Sequence, residues 1–204
     1  MSEKDAQKYC DLMEEVKLRM NVIDFFLLRK GHALYEPTTL ESVFLQFRKI
    51  LELIAFGSLV ANSALYATAY ANFATHWHAG RVLRDLEAIN PNFYPTPIVE
   101  VQPTVAGGMV QLKNRDSDYL AKSDFETLYA ECGGIMHARN PYGSEIDYKQ
   151  YKERVPAWRT RILNLLNCQK IQLVGDPGFW LIHMKEDRDD KVHFYIFKPP
   201  SSLK

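Results

Sequence analysis

The amino-acid sequence predicts a mainly α protein, in which a helical bundle of about five helices is followed by a C-terminal three-stranded antiparallel β-meander. Over most of the chain, apolar residues recur at steps of three and four, which is the spacing of an amphipathic helix. From Lys170 onward they alternate with other residues, which is the spacing of a strand with one buried face. We therefore assign residues 1–167 to the bundle and residues 168–204 to a meander packed on it, together forming one compact unit.

The first two helices carry clear start and stop signals. The first spans residues 3–28 and stops near Gly31, because glycine favours a helix end. Thr38 followed by Glu41 forms a capping-box pattern, so a second helix begins there and runs to about Leu65. This helix is the most apolar one, and we expect it at the centre of the core.

The middle of the chain combines one helix with a proline-rich crossover. A third helix is predicted over residues 70–88 and ends before an Asn-Pro pair. Residues 90–103 hold four prolines and predict an extended crossover on the protein surface. Residues 105–113 predict a short strand or a turn around a Gly-Gly pair.

The last helices lead into the meander. Ser123 and Glu126 form a second capping-box pattern, which begins a helix that ends in the polar segment 132–143. The final helical region begins at Ser144, and Pro156 is expected to divide it into two pieces. The alternating positions that define the three strands are Ile171 and Leu173, then Phe179, Leu181 and His183, then Val192, Phe194 and Ile196.

Composition and charge narrow the function classes. Apolar residues make up 47% and charged residues 25% of the chain, which predicts a folded globular domain. Lys+Arg and Asp+Glu number 25 each, which argues against a dedicated duplex-DNA binder, because such affinity comes from neutralising phosphates. The longest apolar stretch, residues 50–65, is interrupted by polar residues, so no membrane span is expected. Three widely spaced cysteines and no apolar leader predict free thiols in the reducing cytoplasm.

The segment 132–143 concentrates the most chemistry in the sequence. His137, Arg139 and Asn140 follow a predicted helix end. An imidazole beside a guanidinium suits RNA cleavage without metal, by proton transfer and phosphate stabilisation. In the structural alternative, His137 and Arg139 offset the negative end of the helix, and Asn140 caps it in a left-handed conformation. The sequence supports both interpretations.

An acidic and basic stripe on the second helix offers partners for that segment. Glu41, Arg48 and Glu52 lie at steps of seven and four, and therefore share one helix face. A buried charge must be paired. One interpretation is an internal pair of Arg48 with Glu52 at a half-exposed seam. In the other, Glu41 or Glu52 orients His137 or pairs with Arg139, and the two interpretations are compatible.

No metal or cofactor site is expected from the spacing of potential ligands. His76 and His78 are two residues apart, and Cys132 and His137 are five apart. Two ligands on one helix face are expected at i and i+4, so neither pair fits a shared metal ion.

Two segments of the helical part, residues 14–19 (EEVKLR) and residues 41–52 (ESVFLQFRKILE), resemble the HEPN superfamily in their layout, and the resemblance covers about residues 1–167. The diagnostic motif of that superfamily is an arginine, often followed by Asn, Asp or His, with a histidine four to six residues after the arginine. In this chain Arg139 is followed by Asn140, and the nearby histidine, His137, precedes the arginine.

The resemblance implies a bundle of four or five helices, frequent dimers and, as in many members, metal-independent cleavage of RNA in toxin–antitoxin or antiviral systems. We therefore expect a cytoplasmic homodimer that processes RNA, with His137 as the proton-transfer group, Arg139 as the phosphate contact, and Glu52 or Glu41 as the orienting group. The alternative is a noncatalytic interaction module whose sheet edge or apolar helix face binds a protein partner.

Overall fold

The computed structural model describes residues 3–69, 79–105, 107–138, 141–173 and 178–198, and within them it confirms the predicted fold class. Six helices and one five-stranded antiparallel sheet lie in these ranges. The helices are α1 (Glu3–Leu27), α2 (Glu36–Ala61), α3 (Ser63–Ala69), α4 (Ala79–Ile89), α5 (Lys122–Met136) and α6 (Tyr148–Leu166). The strands are β1 (Thr96–Val101), β2 (Gln111–Asn114), β3 (Cys168–Gln172), β4 (Phe179–His183) and β5 (His193–Phe197).

The sheet has the strand order β2-β1-β3-β4-β5, and all neighbours are antiparallel. The predicted meander corresponds to β3, β4 and β5. Two further strands come from residues that the sequence assigned to the bundle, so the predicted surface crossover over residues 90–103 contains β1. Proline cannot donate to a strand ladder, which hid this strand in the sequence. Pro97 is tolerated because it is the second residue of β1, close to the strand end.

The helix starts differ from the predicted capping boxes. At α2 the pattern of Thr38 and Glu41 is wrong, because Pro37 fits the first turn and the helix begins earlier. The Thr39 hydroxyl instead donates to the carbonyl of Tyr35, the residue that precedes the helix, at 3.0 Å. The helix is therefore anchored by threonine side chains that bond the preceding loop.

The last two helices also differ from the prediction, α5 in its start and α6 in its continuity. α5 begins ahead of the predicted Ser123–Glu126 box, because the backbone N–H of Ala121 donates to the Asp124 carboxylate at 3.3 Å. α6 runs through Pro156 without dividing. Pro156 and the residue one turn before it are exposed, so the carbonyl that loses its helical partner lies on the hydrated side.

The second helix breaks at Asn62, before its predicted end at Leu65. The Asn62 side-chain amide donates to the Ser58 carbonyl at 2.8 Å, and its oxygen accepts from the Asn90 side chain at 2.8 Å. A side chain that bonds its own backbone competes with the helical ladder, and both asparagines are buried. Consequently α3 leaves α2 at an angle of 86°.

Other predicted elements agree closely with the structure. α1 ends at Leu27, one residue before the predicted end, and α4 ends at Ile89, before the Asn-Pro pair. Residues 70–78, the first part of the predicted third helix, lie outside the described residues.

The core lies between the helices and the inner face of the sheet. α2 contacts α1, α4, α5 and α6 and is the central helix, as predicted. Alternate residues of β3 and β4 form the buried inner face, namely Gln169, Ile171, Trp180 and Ile182. Among the described helices none alone has the length and apolar character to cross a membrane, although α2 and α3 meet that criterion when taken together across their bend.

Tyr9 of α1 connects this core to the sheet. Its ring makes an edge contact with Trp180, with centroids 6.3 Å apart, and its hydroxyl donates to the Gln169 side-chain oxygen at 2.8 Å. On the other side, a Cβ atom at Gly57 of α2 would lie 2.9 Å from the Tyr9 ring. Burial raises the pKa of Tyr9, so the hydroxyl stays protonated and keeps its donor role.

Replacing Tyr9 with Phe is expected to lower the free energy of unfolding by about 1–3 kcal/mol, because the fully buried Gln169 loses a hydrogen-bond donor. Chemical denaturation measures this loss. The exposed Tyr35→Phe variant is the control and should change the stability by less than about 0.5 kcal/mol. Equal stability of the two variants would contradict the proposed link between helix and sheet.

Candidate functional site

Two of the three residues of the predicted stripe on α2 face α5. They belong to a seam of five residues, which we call the α2–α5 seam: Arg48, Lys49, Glu52, Tyr129 and Cys132. The Arg48 guanidinium donates to Glu52 at 3.3 Å and to the Tyr129 hydroxyl at 3.0 Å, and its central carbon lies 4.6 Å from the Tyr129 ring centroid. Lys49 donates to the other Glu52 oxygen at 3.0 Å. The internal Arg48–Glu52 pair predicted from the spacing is therefore present.

The seam is partly shielded from water. The side chains of Glu52 and Arg48 are 15% and 29% exposed. Burial raises the pKa of the Cys132 thiol well above its ordinary value, and Arg48 offsets part of this rise. Burial also raises the pKa of Tyr129, again with Arg48 acting in the opposite direction. Both groups stay protonated near neutral pH, so Cys132 lacks the thiolate character that a nucleophile needs.

His137 directly follows α5, within the polar segment 132–143. Its backbone is extended (φ −83°, ψ 142°) and its side chain is exposed. Within the described ranges, no hydrogen bond or ion pair holds the imidazole. Arg139 and Asn140, the other predicted members of the site, lie outside the described residues.

Glu41, the remaining predicted orienting residue, faces a different helix. Its carboxylate lies near the Tyr148 side chain at the start of α6. Burial raises the pKa of Tyr148, and the nearby charge of Glu41 raises it further. Of the predicted site residues, the structure thus joins Arg48 with Glu52 and directs Glu41 to α6.

A pocket of about 520 Å³ lies between the α1–α2 connection and α6. Its walls include Leu27, Tyr35 and Val155, and none of the predicted site residues that the structure describes lines it. Lys152 at this pocket is ion-paired with Glu36, so its charge is already compensated.

The hairpin formed by β1 and β2, residues 96–114, was missed by the sequence analysis as a functional surface. β2 is the last strand at one edge of the sheet, and each of its four residues is exposed. Met109 in the connecting loop is 88% exposed. The exposed apolar side chains of this hairpin are Val99, Val101, Val105, Met109, Val110 and Leu112. Their only signal in the sequence was a series of apolar residues around the Gly-Gly pair.

The sequence analysis also missed a group of potential metal ligands, Glu100, Cys168 and His183. The three residues come from three different strands, so no spacing along the chain connects them. His76 and His78, the histidine pair considered from the sequence, lie outside the described residues.

No family model matches the sequence, and no curated protein or solved structure gives a significant match. Function is therefore inferred from the contacts of this chain.

Replacing Arg48 with Met is expected to destabilise the fold by about 1–2 kcal/mol, because Glu52 keeps Lys49 as its cationic partner but loses the shielded one. This is less than the ~3–5 kcal/mol typical of a fully buried pair, because the seam is partly hydrated. Thermal and urea unfolding measure the change.

The matched control is Arg81→Met, which breaks a pair of the same i,i+4 spacing with Asp85. The Arg81 side chain is 59% exposed, so a loss below about 0.5 kcal/mol is expected. If both variants lose the same stability, the α2–α5 seam is an ordinary surface pair.

Proposed function

We propose that this chain is a noncatalytic interaction module that associates with a second copy of itself along β2. The exposed apolar hairpin carries this proposal. An edge strand presents unpaired N–H and C=O groups that template pairing with another strand. An exposed apolar patch beside such an edge is typical of an interaction surface. The internally paired α2–α5 seam is consistent with a structural role for the polar stripe.

The second copy is a suitable occupant because β2 complements itself in an antiparallel register. A two-fold axis perpendicular to the sheet places a residue opposite its own copy. With Leu112 at the axis, two leucines meet, and Lys113 faces Gln111 of the other copy. With Lys113 at the axis, two like charges would face each other, which is destabilising. Of these two registers, the leucine-centred one is therefore favoured.

This register also brings part of the apolar hairpin to the second copy. Leu112 lies at the axis, and the exposed Val110 immediately precedes β2. In the dimer the two hairpins lie side by side, and the five-stranded sheet becomes one continuous sheet across both copies. Pairing removes the free edge at β2.

Leu112→Lys is expected to abolish dimer formation, because it places two like charges at the axis. Sedimentation or light scattering should give a mass of about twice 23.6 kDa for the wild type and 23.6 kDa for the variant. Leu18→Lys, in which a leucine of α1 that is 67% exposed receives the same charge, is the matched control and should remain dimeric.

A mixing experiment tests the register. Leu112→Glu should be monomeric alone and form a mixed dimer with Leu112→Lys, since opposite charges then meet at the axis. A wild type that stays monomeric at submillimolar concentration contradicts the proposal, and so does a Leu112→Lys variant that dimerises as well as the wild type. Binding of an unrelated extended peptide at β2 without self-association would assign the edge to another partner.

A second candidate function is HEPN-like, metal-independent RNA cleavage at the end of α5. It is supported by the exposure of His137 and by the lack of a described partner, which leaves the imidazole free to exchange a proton with a bound substrate. In this proposal Arg139 contacts the phosphate. Glu52 is already held by Arg48 and Lys49, so its orienting role needs a separate test.

For this candidate, His137→Ala and Arg139→Ala are each expected to reduce cleavage of a single-stranded RNA by about 10²–10⁴-fold, the usual contribution of general acid–base or charge-stabilising groups. Glu52→Gln should reduce it as well if that carboxylate orients the imidazole. The assay contains a chelator, so that a metal-dependent contaminant stays silent. His32→Ala, another exposed histidine, is the control; equal or absent cleavage in all proteins would exclude the activity.

A further inference from the structure

Three strands bring unlike metal-binding side chains together on the outer face of the sheet. Cys168 of β3 and His183 of β4 are direct cross-strand partners, so both side chains lie on the same face. β1 pairs with β3 at Thr96↔Lys170, and the alternation of that strand places Glu100 on this face too. The inner face is formed by the intervening positions.

The donor atoms are close enough to share one ion. One atom from each of Glu100, Cys168 and His183 lies within 4.8 Å of the other two. The His183 Nε2 atom lies 3.2 Å from a Glu100 oxygen. Zinc bond lengths of about 2.0–2.2 Å to nitrogen and oxygen give a tetrahedral edge of about 3.4 Å, so this pair already has the required separation. For the Cys168 sulfur, which lies within 4.8 Å of both other atoms, the corresponding edge is about 3.6 Å.

The His183 Nε2 atom lies beside Glu100 but has no hydrogen bond in the described structure. The atom is buried, and the approach to Glu100 is close but poorly directed. A buried polar atom without a hydrogen bond is costly and calls for an explanation. Cys168 is a free thiol. A bound cation would satisfy the nitrogen and compensate the carboxylate.

We propose that Glu100, Cys168 and His183 bind a zinc ion through one sulfur, one nitrogen and one oxygen atom. This ligand set fits zinc, which accepts all three atom types, and it does not fit calcium or magnesium, which need several oxygen ligands. On binding, the Cys168 thiol releases its proton to solvent, and the sulfur lone pair forms the bond to zinc. Three protein ligands leave the fourth tetrahedral position for water or a small ligand.

The ion would also fasten the hairpin to the sheet. β1 pairs with β3 at Thr96 and Pro97, near the start of β1. Glu100 lies farther along the strand, towards the hairpin loop. A zinc ion shared by Glu100 and the two ligands of β3 and β4 therefore cross-links β1 where backbone pairing with β3 has ended.

Cobalt titration of the untagged chain tests the site, because Co²⁺ replaces zinc and reports its ligands by absorption. One Co²⁺ per chain is expected, with a sulfur-to-metal charge-transfer band and the intense visible bands of tetrahedral coordination. Zinc should displace the cobalt. Zinc should also protect Cys168 from alkylation, as measured by mass spectrometry.

Cys168→Ser should lose the sulfur band, and His183→Ala should weaken binding at least about 100-fold, since the loss of an outer hydrogen-bond partner alone costs about 10–100-fold. His193→Ala is the matched control. It lies opposite His183 on β5 and is bonded to Asp189. Cys132→Ala controls for thiol loss, and both controls should bind cobalt as the wild type does.

Binding without a sulfur band, or a band that survives Cys168→Ser, would overturn the proposal. Circular dichroism of the metal-free variants checks folding. If Cys168→Ser is unfolded, Glu100→Gln and the alkylation of the wild type decide: unchanged cobalt affinity together with unprotected Cys168 contradicts the site.

Discussion

The contact of Tyr9 with the sheet is the interaction on which the rest of the architecture depends. Its ring fits between Gly57 of α2 and Trp180 of β4, and its hydroxyl bonds Gln169 of β3. A two-layer domain is stable only when each layer buries its apolar face against the other. Because one side chain touches a helix and two strands, it fixes both the distance and the orientation of the sheet relative to the helices.

The packing of the inner face on the helices determines which side chains point outward from the sheet. Gln169 points inward, so its neighbour Cys168 points outward, beside His183. β2 is the edge strand next to β1, and no described element pairs with its other side. The α2–α5 seam, by contrast, satisfies its charges internally through Arg48 and Glu52. The polar groups and backbone atoms that can still bind a ligand or a partner therefore lie on the outer face and the β2 edge of the sheet. The exposed His137 at the end of α5 is a further such group.

A feature could be predicted from the sequence when the residues that determine it are close together along the chain. The Arg48–Glu52 pair was predictable, because residues four apart on a helix are neighbours. The partner of Glu41 was not, because Tyr148 reaches it from a different helix. The predicted end of the second helix was wrong because the Asn62 side chain competes with the backbone for the Ser58 carbonyl. Its second partner, Asn90, comes close only in the folded chain. Strand β1 was hidden because proline is disfavoured in strands, and its location near a strand end becomes visible only once the register is known.

The proposed dimer and the proposed zinc site are physically connected through the hairpin. Glu100 is the cross-strand partner of Leu112, so the carboxylate that would bind zinc lies directly beside the leucine at the proposed two-fold axis. An edge strand recognises a partner best when it is held in one conformation, because less entropy is then lost on association. A zinc ion that joins β1 to β3 and β4 would supply that restraint, and dimer formation would in turn favour the hairpin position that binds zinc. Linkage requires this coupling to be reciprocal, so metal should strengthen the dimer by the same factor by which dimerisation strengthens metal binding.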